Sequence, residues 1–428
     1  MSNCCRRYCC CCCNVFCCSG NGHSISPPPF ETPPVGNLLI FVNPKSGAGR
    51  SLEVFNKQIA SQLIAKNINY ELIVTEGSGH ACSIVKTRKD IYLFNAIVIC
   101  SGDGLIFEVI NGLLERPDRS EIIPRLPIGI VPSGSGNALL GSVLHTRKLP
   151  LEDGPFQQTA CSIIQDLEAL AFPVNLLHIE TPEQHFGAFL SIGWGLLGDI
   201  DIESERFRRI FGSGRFAIGA VLRLLNLRTY RGRLSFLESG PSEPAQADPF
   251  RVYETTMPPP FEVVMKEPEP LERIPIIPDS KKEEMGDFWE TRYLSSYGQI
   301  PRLNEAVPEN WTIIEDEFVF VYVMSLSHIS NKGYYVPQAG LVDDRIYLTY
   351  ALKKDVTSKI TLAKFLDALD HGRHNETQAF DFFKIIPVKS FRLEPIDSGS
   401  YIVVDGEDIK CKSIQATVTN LNMAVMAK

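Results

Sequence analysis

Short apolar runs alternate with amphipathic stretches through the first 170 residues, and that alternation predicts an α/β layer. Asn37–Val42 (NLLIFV), Tyr70–Val74, Ala96–Cys100 (AIVIC) and Pro127–Val131 (PIGIV) read as buried strands. Ser51–Asn67 is amphipathic at helical period, and Leu105, Ile106, Val109, Ile110, Leu113 and Leu114 form one helical stripe. From about Phe172 the rhythm changes. Val174–Ile179, Gly187–Ile192, Phe318–Ser325, Arg345–Tyr350, Phe391–Glu394 and Tyr401–Val404 read as strands with few helices between them. Such a run predicts an antiparallel β-sandwich. Between the two halves of that second unit, residues 238–310 are rich in Pro and Glu (MPPPFE, KEPEPLERIPIIPD). Prolines cannot join a sheet interior, so this segment is expected to be a disordered or loosely packed insertion. The expected organisation is therefore a tail and linker over 1–35, an α/β domain over 36–171, a β-sandwich over 172–237 and 311–428, and the insertion over 238–310.

Every strand of the first unit runs into a small-residue loop. These are Asn43–Arg50 (NPKSGAGR), Thr75-Glu76-Gly77, Ser101-Gly102-Asp103-Gly104 and Pro132–Asn137 (PSGSGN). In an open parallel sheet the carboxyl edge is where ligands bind. Glycine loops leading into helices offer backbone N–H groups to phosphate, so several on one edge predict a nucleotide site. No Walker A, GxGxxG, HRD or DFG motif occurs, which sets aside P-loop enzymes, dinucleotide dehydrogenases and protein kinases. Asp103, between two glycines, reads either as a helix N-cap or as a general base for an attacking hydroxyl. Glu108, one turn further on, either orients a neighbouring loop or is solvated.

Composition narrows the class. The 428 residues are 44% hydrophobic and 21% charged, ordinary for a globular chain of about two or three domains. Asp and Glu number 50 against 42 Lys and Arg, giving a net charge of -8. That argues against nucleic acid as a partner. The longest apolar candidate, Phe186–Ile200, is too short and glycine-rich to span a bilayer. Nine of the thirteen cysteines crowd into the first 18 residues, and the other four are scattered. The body thus reads as a cytosolic protein. For the string itself three readings stand: S-palmitoylation and peripheral membrane attachment, thiolate metal binding, or a tail without a role. Ser19–Pro34 reads as a linker. His178, His328 and His374 show no ligand spacing, and His371 with His374 lacks a third ligand, so no protein-held metal site is expected. The 215–233 stretch (RFAIGAVLRLLNLRTYRGR) reads as a core helix with a solvated basic face. Its alternatives are an amphipathic gate against anionic membrane and a calmodulin target.

Asn43-Pro44-x-x-Gly47-x-Gly49, Ser101-Gly102-Asp103-Gly104 and Pro132-x-Gly134-Ser135-Gly136-Asn137, in this order, resemble the diacylglycerol-kinase catalytic family. SGDGLIFEVINGLLERPD, PSGSGNALLGSVLHT, WGLLGDIDIESERFRR, LRTYRGRL, FRLEP and VVDGE are most similar to its sphingosine-kinase branch, across 37–237 and 311–428. The resemblance implies a two-domain lipid kinase with ATP and Mg²⁺ in the cleft and a lipid-binding second domain. It implies ATP contacts at Asn43, Pro44, Lys45, Thr75, Glu76, Gly77, Ser78, Gly79, Ser101, Gly102, Glu108, Gly134, Ser135, Gly136, Arg208 and Arg215. Asp405, Gly406 and Glu407 would reach the Mg²⁺–phosphate region. Asp103 would be the catalytic base beside Gly104, and Asp201 and Ser191 would hold the sphingosine head group. Thr361–Leu369 would be a short helix packing beside or over the lipid pocket. The Arg208–Arg215 spacing is one residue longer than the family's, and Ser46 and Ala48 replace its usual glycine and lysine. A ceramide or diacylglycerol kinase, a soluble kinase of the NAD-kinase type, and a tethered binding module without activity are the rival readings.

Overall fold

The computed structural model describes residues 24–27, 30, 32–152, 154–211, 214–240, 248–254, 279–290, 300–374 and 380–428. The cysteine string lies outside them. Four parallel strands form the N-terminal layer, in the order Ile68–Val74, Gly36–Val42, Ala96–Ser101, Ile128–Pro132. All six residues of Ala96–Ser101 are buried, as expected of a strand covered by helices on both faces. The stripe read at 105–114 is the buried face of the Asp103–Leu114 helix.

The antiparallel unit is joined to this layer through one long strand, Ile414–Ala427. It pairs in parallel with Ile128–Pro132 at Val425, and antiparallel with Leu170–Glu180 along most of its length. The two units therefore share one hydrogen-bonded sheet network instead of forming separate sheets. Hydrophobic patterning misses this strand because three of its inward residues are polar. Gln415, Thr417 and Thr419 are buried and satisfied by Arg392 and Pro301, Ser390, and the Leu176 carbonyl respectively. The remaining antiparallel strands roll back on themselves. Tyr230–Glu238 pairs with both Thr312–Met324 and Ile386–Pro395, enclosing a core that includes Trp194, Phe236, Phe318 and Phe391.

Three expectations are corrected. The 215–233 stretch is not one helix: Arg215–Leu225 is helical, and Tyr230–Glu238 is a strand. The expected Gly187–Ile192 strand is broken at Phe189-Leu190 into His185–Ala188 and Ser191–Gly195. Nor are the described parts of the insertion loose. Phe250–Arg251 pairs with Leu170–Glu180, and Val252 is fully buried. The Asp279–Glu290 helix seats Trp289, 0% exposed, flat against His178. A Pro/Glu-rich average hides single aromatic anchors, and one buried Trp is worth several kcal/mol, roughly 3–5 by truncation. Residues 241–247, 255–278 and 291–299 of that expectation lie outside the described residues.

Candidate functional site

The glycine loops meet at the carboxyl edge of the parallel strands, and they meet closely. A Cβ on Gly134 would stand 2.4 Å from the Gly102 Cα, and one on Gly47, at φ +53°, would stand 2.2 Å from the Ser133 carbonyl oxygen. Only residues without side chains allow this backbone contact. Ser101 Oγ donates to Ser46 Oγ (3.2 Å) and Ser51 Oγ to Ser133 Oγ (3.0 Å), tying the loops together.

The two acids of the Asp103–Leu114 helix reach across to other helices. Asp103 Oδ2 accepts from the Ala138 amide (2.8 Å) and Oδ1 from Leu139 (3.2 Å), at the start of the Ala138–Thr146 helix. Glu108 Oε1 accepts from the Ala81 and Cys82 amides (2.7 and 3.2 Å), opening the His80–Thr87 helix. Asp103 thus caps a helix, though not its own, and also lines a cavity. Burial pushes its carboxyl above the ordinary range, and the amides of Ala138 and Leu139 oppose that.

That cavity has a volume of about 770 Å³ and is continuous from the glycine loops to an apolar cleft. At the polar end it is lined by Asn43, Lys45, Thr75–Ser78, Ser101–Gly104, Glu108 and Gly134–Gly136. Ser191, Asp201, Arg215 and Asp405–Glu407 follow. A Cβ on Gly104 would stand 2.7 Å from Glu407 Oε1, which puts that exposed carboxylate against the residue that follows Asp103. Leu197, Ile200, Phe216, Ala220, Leu224 and Leu366 line the apolar end, between the Leu196–Ser204, Arg215–Leu225 and Lys359–Asp370 helices. The short amphipathic helix expected at 361–369 is thus a wall of this cleft.

Not every expected residue arrives. Pro44 and Gly79 are off the cavity wall. Gly79, at φ +81°, starts the His80–Thr87 helix instead. Arg208 lies in the Arg208–Phe211 helix, and its side chain is outside the described residues. Arg215 lines the cavity, and its guanidinium is engaged by the Leu196–Ser204 helix and the residue after it. It donates to the Asp201 carbonyl (2.8 Å), Asp201 Oδ1 (3.1 Å) and Ser204 Oγ (2.9 Å), and pairs with Glu205. Asp405 is 2% exposed and accepts from the amides of Phe189, Leu190 and Ser191 at 2.9–3.0 Å. Burial raises its pKa to about 7 against those three amides, and the charge of Asp103 adds to the rise. Of the pair Asp199 and Asp201, the first is structural: it is buried and accepts from Tyr230 Oη at 2.7 Å. The apolar wall was not separable from core in the sequence, because lining and packing residues share one hydrophobic signal.

Comparison with known proteins agrees with this geometry. The diacylglycerol kinase catalytic domain pattern matches residues 37–168, the glycine-loop layer. Sphingosine kinase 1 of Caenorhabditis elegans is 38% identical over 396 residues, covering 92% of this chain and 81% of that protein. The chain belongs to the sphingosine kinase family. Sphingosine kinase 1 of Homo sapiens is 33% identical over 89% of this chain and 88% of its own length. A solved diacylglycerol kinase from Bacillus anthracis shares the fold, with a TM-score of 0.51 at 14% identity over 92% of this chain and 97% of that one. For a sphingosine kinase, an uninterrupted passage from phosphate loops to an apolar cleft is the expected shape, since one substrate is a nucleotide and the other a long-chain amine.

Proposed function

We propose that this chain transfers the γ-phosphoryl group of ATP to the primary hydroxyl of sphingosine and related bases, yielding sphingosine 1-phosphate and ADP. The observation that carries the reading is one cavity lined both by Asp103 with the glycine loops and by the apolar residues of the Leu196–Ser204, Arg215–Leu225 and Lys359–Asp370 helices. Asp103 accepts the hydroxyl proton as that oxygen bonds to phosphorus and the bond to ADP breaks. Its raised pKa makes it a better base than an exposed aspartate. The glycine-loop amides and Lys45 hold the phosphates, and a bound Mg²⁺ neutralises charge on them. Among the described residues no group of three or more His, Cys, Asp and Glu is arranged to hold a metal alone. Glu407 beside Gly104 fits as a holder together with phosphate oxygens, the donor set Mg²⁺ takes in kinases. Asp201 faces the same cavity and suits an ammonium, which ceramide and diacylglycerol lack.

The test is label transfer from γ-labelled ATP, with sphingosine, ceramide and diacylglycerol offered in separate micelles. Label is expected on sphingosine alone. Asp201→Ala should raise its KM by about tenfold or more, the worth of one charge-assisted hydrogen bond. Label on a neutral lipid would overturn the substrate, and label on no lipid would overturn the activity.

Peripheral membrane attachment belongs to the same reading. The Arg215–Leu225 helix buries Arg215 and Arg223, the latter paired with Glu203, and exposes Val221 (57%), Leu222 (41%) and Leu225 (74%). Ile210, Phe211 and Ile360 are exposed nearby in sequence or on the neighbouring helix. Apolar residues clustered on a surface mark an interaction site. Calmodulin binding calls for an exposed basic face, so a lipid surface fits this helix better, with acylated cysteines of the N-terminal string as the stable anchor. Leu225→Asp with Ile360→Asp should weaken co-sedimentation of the unacylated protein with vesicles by roughly tenfold per residue. Unchanged sedimentation would remove this face from the membrane contact.

A further inference from the structure

Asn111, inside the SGDGLIFEVINGLLERPD stretch, does not line the cavity. It stands on the Asp103–Leu114 helix about two turns beyond Asp103, and its side chain reaches out of the glycine-loop layer. Its Nδ2 donates to the Gly187 carbonyl (3.0 Å), and its Oδ1 accepts from the Gly187 amide (2.9 Å). Nδ2 also donates to the Phe107 carbonyl (2.9 Å), which fixes the plane of the amide. A carboxamide carries the donor and acceptor of a peptide group, so this is a strand contact made by a side chain. Among the described residues His185–Ala188 pairs with Leu170–Glu180 alone, which leaves its other edge to Asn111. The helix comes this close because residue 187 is glycine: a Cβ there would stand 2.5 Å from Leu114 Cδ1. Phe107 meets Phe186 edge-on beside the contact (5.9 Å, 83°). Trp289 of the insertion helix packs there too, its Cη2 3.6 Å from where a Cβ on residue 187 would be.

We infer that Asn111 is a positioning residue for phosphoryl transfer: through Gly187 it sets the wall carrying Ser191 and Asp405 against the wall carrying Asp103. The inference rests on the sphingoid-base kinase reading above and adds a residue to it. Asp103 is held within its own layer by the Ala138 and Leu139 amides. The opposite wall follows Gly187 directly in the chain. There the amides of Phe189, Leu190 and Ser191 go to Asp405, and Ser191 and Asp405–Glu407 line the cavity. The Asn111–Gly187 pair is thus a hydrogen-bonded crossing between the two walls. At 1.5 Å per helical residue, Asp103 lies about 12 Å along the helix from that crossing, so a swing of about 5° there moves one wall by about 1 Å relative to the other. A misplacement of about 1 Å can cost about a hundredfold in rate. The glycine loops and the apolar cleft are each built without Asn111, so the binding of either substrate to its own wall does not depend on the crossing.

The experiment is steady-state kinetics of full-length Asn111→Ala with sphingosine, beside ATP-binding isotherms. kcat should fall by about tenfold to a hundredfold. The KM for sphingosine and the Kd for ATP should stay within about twofold of wild type, the signature of an interaction that matters only in the transition state. An unchanged ATP-binding stoichiometry marks the variant as folded, so that a lower kcat is not a smaller amount of active protein. The acid limb of the pH profile should keep its position and lose height, because Ala138 and Leu139 still set the surroundings of Asp103. Gly187→Ala disturbs the same contact from the other strand, its methyl meeting only the end of the Leu114 side chain, and it serves as the second variant. The double variant should be no slower than the slower single one, since both break one contact. Wild-type kcat in folded Asn111→Ala overturns the inference, and so does a loss that appears in ATP affinity or one that multiplies in the double variant. If wild type phosphorylates no sphingosine, the lipid-kinase reading has failed, and this inference falls with it.

Discussion

Asp103→Asn should reduce kcat for sphingosine by about a thousandfold, within the 10²–10⁴ range typical of a lost general base. The asparagine still offers one carbonyl oxygen to the Ala138 and Leu139 amides, so the Ala138–Thr146 helix keeps part of its cap. Thermal stability and ATP affinity should therefore stay near those of wild type, which separates loss of chemistry from loss of structure. Wild-type pH dependence supplies a second check. Burial raises the Asp103 pKa, so the base is protonated, and the rate falls, as pH drops through a value above the usual carboxylate range. The acid limb of the kcat/KM profile should accordingly lie higher than an exposed aspartate would place it. Full turnover in folded Asp103→Asn protein would remove this residue from the mechanism.

Asp405→Ala should be the more disruptive change. It leaves the amides of Phe189, Leu190 and Ser191 without their acceptor in a buried place. Each unsatisfied group costs about 1–3 kcal/mol, so the total approaches the whole stability of an ordinary domain, about 5–15 kcal/mol. A large fall in Tm is expected, with loss of lipid phosphorylation because Ser191 leaves its position. Asp405→Asn keeps one acceptor and should fall between the two. A stable Asp405→Ala protein that had lost activity alone would show that the carboxylate acts on the phosphates and not on the backbone.

These two aspartates mark how far the sequence could be read. Asp103 was legible because its signal is local: a buried strand, two flanking glycines and a helix stripe all lie within Ala96–Leu114. The other glycine loops were legible for the same reason, and their common edge followed from the rule for parallel sheets. Asp405 was legible only as part of VVDGE. That its oxygens would be taken by amides more than 200 residues earlier in the chain depends on two strands meeting. Arg215 tells the same story: the family resemblance implied an ATP contact, and the ion pairs of its guanidinium with Asp201 and Glu205 come from packing of the Arg215–Leu225 and Leu196–Ser204 helices.

By itself, the sequence determined the parallel layer, the loops along its carboxyl edge, the candidate base and the kinase family. All of these are encoded in runs of neighbouring residues whose periodicity or backbone freedom has one structural outcome. Tertiary structure alone decided that the Ile414–Ala427 strand joins the two units, that Trp289 pins the insertion, and that the Arg215–Leu225 helix hides its arginines and shows its leucines. It also decided that Tyr322 lies over Gly193 at the cavity wall. Each of these depends on which distant surfaces come together, and a polar or apolar residue carries the same local signal whether it packs, pairs or lines a cavity.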